Sequence, residues 1–112
     1  MAAIANLLID QGANFSSDVT VKDAIGTAFD LTGYTVSAKM AKGYSSTRTR
    51  TTITTTVVTP TTGVITLSLL PAETSALDAE RYVYDVELTQ TSTGTVTRVI
   101  EGIITVRPGV TL

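Results

Sequence analysis

The stretch Phe29-Asp30-Leu31-Thr32-Gly33-Tyr34-Thr35-Val36-Ser37-Ala38-Lys39-Met40 constrains the fold more than any other part of this chain. A turn closed by Gly33 runs directly into a segment with Tyr34, Val36, Ala38 and Met40 on one face and Thr35, Ser37 and Lys39 on the other. That is the period of two of a half-buried strand, and no helix can present it as one apolar face. The rest of the chain repeats the theme. Phe15, Ser17, Val19 and Val21 alternate with Ser16, Asp18, Thr20 and Lys22, and Ile65, Leu67 and Leu69 alternate with Thr66 and Ser68. Tyr82, Tyr84, Val86 and Leu88 alternate with Val83, Asp85 and Glu87.

Turn residues punctuate these runs. The apolar run Ile4 to Ile9 ends at Asp10-Gln11-Gly12-Ala13-Asn14, and Asp23-Ala24-Ile25-Gly26 follows the second strand. Ala41 to Thr52 reads as a long loop or exposed segment, followed by a Thr-rich strand over Ile53 to Val58. Thr59-Pro60-Thr61-Thr62-Gly63 turns the chain again. Pro71 near a first helical position, with Glu73 close behind, predicts one helical turn over Pro71 to Leu77. Thr91-Ser92-Thr93-Gly94 precedes a long last strand, Val96 to Val106, in which Gly102 is expected to mark a bulge. The sum is an all-β chain. It is expected to form an antiparallel, immunoglobulin-like β-sandwich of about seven strands with one short helical turn before the penultimate strand. A closed barrel or a jelly roll has the same strand count. Tyr82, at the start of its strand behind the corner Leu77-Asp78-Ala79-Glu80, sits where the hydroxyl of a tyrosine corner would bond back to the corner backbone.

Length and composition narrow the function classes. A chain of 112 residues makes one domain, 1–112, able to bury about two thirds of its unfolded surface without metal or disulfide support. It contains no Cys and no His, which removes thiol and imidazole chemistry together with the usual zinc and haem ligands. The hydroxyls therefore lack an imidazole base, and no Ser-x-x-Lys arrangement replaces it. Asp85 and Glu87 share an outward strand face and read as solvated surface, not an acid/base pair. Asp10, Asp18, Asp23 and Asp30 are too scattered for a sequence-local calcium loop. The expectation is a non-enzyme with no catalytic residues, no cofactor and no metal. A net charge of −2 gives no long-range pull toward nucleic acid or an anionic membrane. The start of the chain has no basic leader, and its apolar run is broken by Asn6 and closed by Asp10. It reads as neither secretory signal nor membrane span, and the expected site of synthesis is a cytoplasm.

Two further features point to contacts as the business of the molecule. Only 16% of residues are charged, against about 25% in ordinary soluble domains. Thr accounts for 23 of the 112 residues. A face of threonines stays wettable while leaving few ions to desolvate on contact with another subunit. Arg48 and Arg50, which would project to one side if extended, and the loop aromatic Tyr44 are the candidate partner contacts. Ile4 to Ile9 and Ile53 to Val58 carry no charge, so they read as edges that need covering, and one or both are expected to pair with, or pack on, a neighbouring subunit.

The pattern Leu8-Ile9-Asp10-Gln11-Gly12, Phe15 to Val21, Phe29 to Val36, Pro60 to Leu70 and Arg81-Tyr82-Val83-Tyr84-Asp85-Val86 resembles the small immunoglobulin-like virion proteins of tailed bacteriophages. These include the N-terminal domains of baseplate upper proteins and related tail or particle-surface subunits. The resemblance covers nearly the whole chain and implies a structural subunit of a tail, baseplate or adaptor, made in the host cytoplasm and located in the virion. Its implied partners are other virion proteins in a homo-oligomer or multi-copy assembly. A capsid-surface decoration protein and a glycan- or surface-binding module are the alternatives.

Overall fold

The computed structural model describes residues 3–23, 25–45 and 47–110. The expected turn residue Ala24 and the loop residue Ser46 therefore lie outside the described residues. Eight strands follow the alternation: β1 (Ala3–Ile4), β2 (Leu7–Asp10), β3 (Phe15–Thr20), β4 (Tyr34–Ala41), β5 (Thr51–Thr56), β6 (Val64–Leu69), β7 (Arg81–Gln90) and β8 (Val96–Arg107). A 3-10 turn, Pro60–Thr62, precedes β6, and the helical turn α1 (Pro71–Ser75) precedes the penultimate strand. At the start of α1 the N–H of the preceding Leu70 donates to the Glu73 carboxylate at 2.8 Å. The buried Thr74 hydroxyl donates to the Ala13 carbonyl at 2.9 Å and so ties the corner to the β2–β3 turn.

β8, β7 and β4 form the centre of one sheet, all antiparallel, and β3 and β6 pair antiparallel in the other. β5 belongs to both. Its residues Thr51 to Ile53 pair with Met40 to Ala38 of β4, and Thr54 to Thr56 pair with Ser68 to Thr66 of β6, so a single strand carries the chain from sheet to sheet. The outcome is a curled sheet closed over one core, with the strand order of an immunoglobulin-like sandwich. Inward-facing Ile9, Ile53, Ile65, Leu67, Val86 and Ile104 are fully buried between the sheets.

Three expectations need correction. Ile53 to Val58 does not run as one strand along one sheet: β5 spans Thr51 to Thr56 and changes sheets midway, Thr51 to Ile53 pairing with β4 and Thr54 to Thr56 with β6, because a period of two reports which face is buried and says nothing of pairing. Ile4 to Ile9 does lie at a sheet boundary, but it is split in two and pairs in parallel along β8, Ala3 opposite Ile100 and Leu7 to Asp10 opposite Ile104 to Arg107. The bulge in β8 is at Val99, because Val86 pairs with Ile100 and Glu87 with Arg98. Gly102 serves close approach instead. A Cβ there would sit 2.1 Å from the Ala5 carbonyl oxygen, so only glycine lets the first strand cross β8 at this point. Ala5 is then fixed from both sides, its N–H donating to Glu101 O at 3.0 Å and its carbonyl accepting the Tyr84 hydroxyl at 2.5 Å. The Asn6 side chain completes the crossing by accepting the Ile103 N–H at 3.1 Å.

The tyrosine corner is present: the Asp78 N–H donates to the buried Tyr82 hydroxyl oxygen at 2.9 Å. Tyr82→Phe removes that acceptor and is expected to cost about 1 kcal/mol in denaturant unfolding. A loss within experimental error would mean that the hydroxyl contributes nothing. Gly102→Ala is expected to cost about 1–3 kcal/mol and to raise the amide exchange of residues 3–10 selectively. Unchanged exchange there would contradict the close approach.

Candidate functional site

The loop between β4 and β5 carries all three candidate contacts, and its shape comes from one side chain. Arg50 folds back and donates from its guanidinium to the carbonyls of Ser45 at 2.8 Å, Arg48 at 2.9 Å and Tyr44 at 3.2 Å. A turn bond from Arg48 N–H to Ser45 O at 3.0 Å lies within the same loop. The segment is therefore not extended, and Arg48 and Arg50 do not project to one side. Arg50 and Tyr44 border a groove of about 370 Å³ on the outer face of β4 and β7, floored by Ser37, Lys39, Val83 and Glu87. Arg48 borders a second depression beside the tyrosine corner, with Lys42, Leu77 and Asp78. The structure thus brings Tyr44 and Arg50 to one groove, while Arg48, bonded to Arg50 through its carbonyl, borders the other depression.

The electrostatics around these grooves are local. Arg98 on β8 pairs with Asp85 and Glu101, each at 3.2 Å, and these carboxylates hold its guanidinium above its ordinary pKa. Asp85 is thereby committed to an ion pair across the β7–β8 register, while Glu87 lies opposite Ser37. Lys42 bonds to Asp78 and, at 2.8 Å, to Glu80, and the two anions, Asp78 first, hold its ammonium above its ordinary pKa. Each scattered aspartate has its own task. Asp10 pairs with Arg107 at 2.7 Å and is held below the ordinary carboxylate range by that bond. Asp18 accepts the Thr66 hydroxyl at 2.7 Å. Asp23 accepts the Ile25 and Thr27 amides, and Asp30 that of Thr32. Among the described residues no three acidic side chains converge as a metal site would require.

Two surface features were not legible in the sequence. On the outer face of the β3–β6–β5 sheet the registers align Ser16, Ser68 and Thr54 in one row and Asp18, Thr66 and Thr56 in the next, with Thr20 beside Val64. Among the paired strand residues described, this face is paved with hydroxyls and carries Asp18 as its one charge. The other feature is an apolar cluster at the opposite sheet's margin, where Ile4, Leu8 and Ile103 stand 75%, 48% and 40% exposed. Thr counts hinted at the first. Nothing in the linear pattern could place Leu8 opposite Thr105, two residues along β8 from Ile103, since that depends on a parallel pairing between the two ends of the described chain.

No protein-family model matches the chain, and no curated protein matches it. Among solved structures it is similar to the Lin-41 filamin domain, at 17% identity and a TM-score of 0.47, over 91% of this chain and 84% of that chain. The immunoglobulin-like assignment rests on the strand order itself.

The Tyr84 hydroxyl beneath the groove supplies a pH test. Burial pushes its pKa up to about 12, above the ordinary phenol value of 10. The folded state keeps this proton where the unfolded chain releases it. The resulting stability is whole below about pH 10 and is lost as pH rises toward 12. Phenolate absorbance is expected to show one tyrosine titrating last, and Tyr84→Phe is expected to remove that late step. A late step that survives in the variant would assign it to another residue.

Proposed function

We propose that this chain is a non-enzymatic structural subunit of a bacteriophage particle, a tail, baseplate or adaptor component that works through contacts with its neighbours. The observation that carries the reading is the outer face of the β3–β6–β5 sheet, with Ser16, Thr20, Thr54, Thr56, Thr66 and Ser68 around the single charge of Asp18. Covering such a face strips water from hydroxyls that can re-pair across an interface, while only one ion must be desolvated. The whole-chain resemblance to small virion proteins supplies the kind of assembly, and the low overall charge supports it. A capsid-surface position uses the same contacts and is the nearest alternative within this class.

A second reading, a glycan-binding module, is favoured by the groove beside Tyr44. An aromatic ring 65% exposed stands there over Ser37, Lys39 and Glu87, which offer both donors and acceptors to a sugar.

Mass spectrometry of purified particles is expected to find the chain in fixed stoichiometry with the other structural proteins. Its absence from washed particles would overturn the proposal. Binding of the isolated domain to an oligosaccharide array, lost on Tyr44→Ala, would move the assignment to the second reading.

A further inference from the structure

The first strand pairs wholly with the last, and this leaves another strand bare. In constant-type immunoglobulin sandwiches the first strand lies beside the second, in the order A-B-E-D. Here β1 and β2 have both gone to β8, and β3, the second strand of that scheme, ends its sheet with β6 on one side only among the described residues. The bond from Val21 N–H to Gly63 O at 2.8 Å fixes the parity of the β3–β6 ladder. Phe15, Ser17 and Val19 aim their backbone groups at β6, and Ser16, Asp18 and Thr20 turn theirs to the open side. The ladder runs through six residues without a shift, from Phe15 opposite Leu69 to Thr20 opposite Val64. β3 contains no Pro, Lys or Arg, the devices that ordinarily blunt an edge. Of the remaining margins, β1 and β2 are two and four residues long, broken at Asn6 and closed by the Asp10–Arg107 ion pair, the free margin of β8 carries the Val99 bulge, and β5 offers each sheet only half of its length, Thr51 to Ile53 to one and Thr54 to Thr56 to the other.

We propose that β3 is a homotypic docking edge, at which β3 of a second copy adds antiparallel about a two-fold axis through Ser17. The register follows from charge and parity. Backbone groups facing the open side must meet one another, so Ser16, Asp18 and Thr20 can pair only among themselves or with Asn14. Centring on Asp18 would set like charges directly opposite. Centring on Ser17 puts Asp18 opposite Ser16 of the second copy, whose hydroxyl can donate to the carboxylate oxygen that Thr66 leaves free. It also pairs Phe15 with Val19 on the inner side and uses the whole strand. The two three-stranded sheets become one of six, and their hydroxyl faces join into one continuous surface. This inference deepens the multi-copy reading above and rests on it.

The chain has no cysteine, so single thiols report the edge without background. Residues 17 and 17 of the two copies form a non-hydrogen-bonded pair with Cα atoms about 4.5 Å apart, within disulfide reach. Ser17→Cys is expected to give a disulfide-linked dimer on mild oxidation of the folded protein. Ser16→Cys and Asp18→Cys are expected to cross-link when mixed and to stay largely uncrosslinked when alone. Ser68→Cys, on β6 between Ser16 of β3 and Thr54 of β5, is the negative control. Ser16→Pro removes an outward N–H while leaving the β6 ladder intact, and with an unchanged strand spectrum it is expected to abolish dimerisation in light scattering. Amide exchange at Ser16, Asp18 and Thr20 is expected to slow at least about tenfold in the dimer. A folded Ser17→Cys protein that stays monomeric on oxidation, both free and in particles, would overturn the homotypic edge while leaving the subunit reading to the particle measurement. Cross-linking of Ser17→Cys to a different protein would replace the second copy with a donated strand. A Ser17→Cys dimer without the mixed cross-link would overturn the register.

Discussion

The contact between Gly102 and the Ala5 carbonyl is the constraint on which much of the molecule depends. With no Cβ on β8 at that point, the first strand can cross, receive the Tyr84 hydroxyl and the Glu101 hydrogen bond partner, and continue as β2 beside Ile104 to Arg107. That placement seats Ile9 in the core. It also withdraws the first strand from β3, so one missing methyl group both completes one sheet and leaves the other with a free margin.

Anchoring at the opposite end is built from polar contacts. The Tyr82 hydroxyl receives the Asp78 amide, the Thr74 hydroxyl reaches Ala13, and the Gln11 side-chain amide donates to the Leu77 carbonyl at 2.7 Å. The turn that launches β3 is thereby fastened to the corner that launches β7. Only Tyr82 announced itself in the sequence, because its position at a strand start has a known geometric use. Thr74 and Gln11 are ordinary polar residues whose partners are backbone carbonyls more than sixty positions away.

That contrast explains what could and could not be read beforehand. Alternation in β3, β4, β6 and β7 displayed burial directly, and turn residues placed the boundaries close to where they fall. Pairing was different. The threonines of β5 look the same whether the strand is bare or shared by two sheets, and the run Ile4 to Ile9 gives no sign of a parallel partner a hundred residues on. Gly102 carried a real signal, since a glycine within a strand demands a reason, but bulge and close approach are indistinguishable without knowing what passes overhead. Arg50 misleads in the same way: an exposed arginine suggests an outside partner, and this one spends its donors on three carbonyls of its own loop.

The parallel pairing of β2 with β8 also decides how the domain bears load. Because the two strands run in the same direction, tension applied before β1 and after β8 pulls them along their length in opposite senses. The register pairs from Ala3–Ile100 to Asp10–Arg107 are then loaded together in shear, and the Asp10–Arg107 ion pair stands at the end of the same row. An antiparallel terminal pair would instead open one bond at a time from its free end. The fold therefore places its terminal seam in the orientation that resists stretching, a mechanical property that follows from where the first strand goes and not from how much surface it buries.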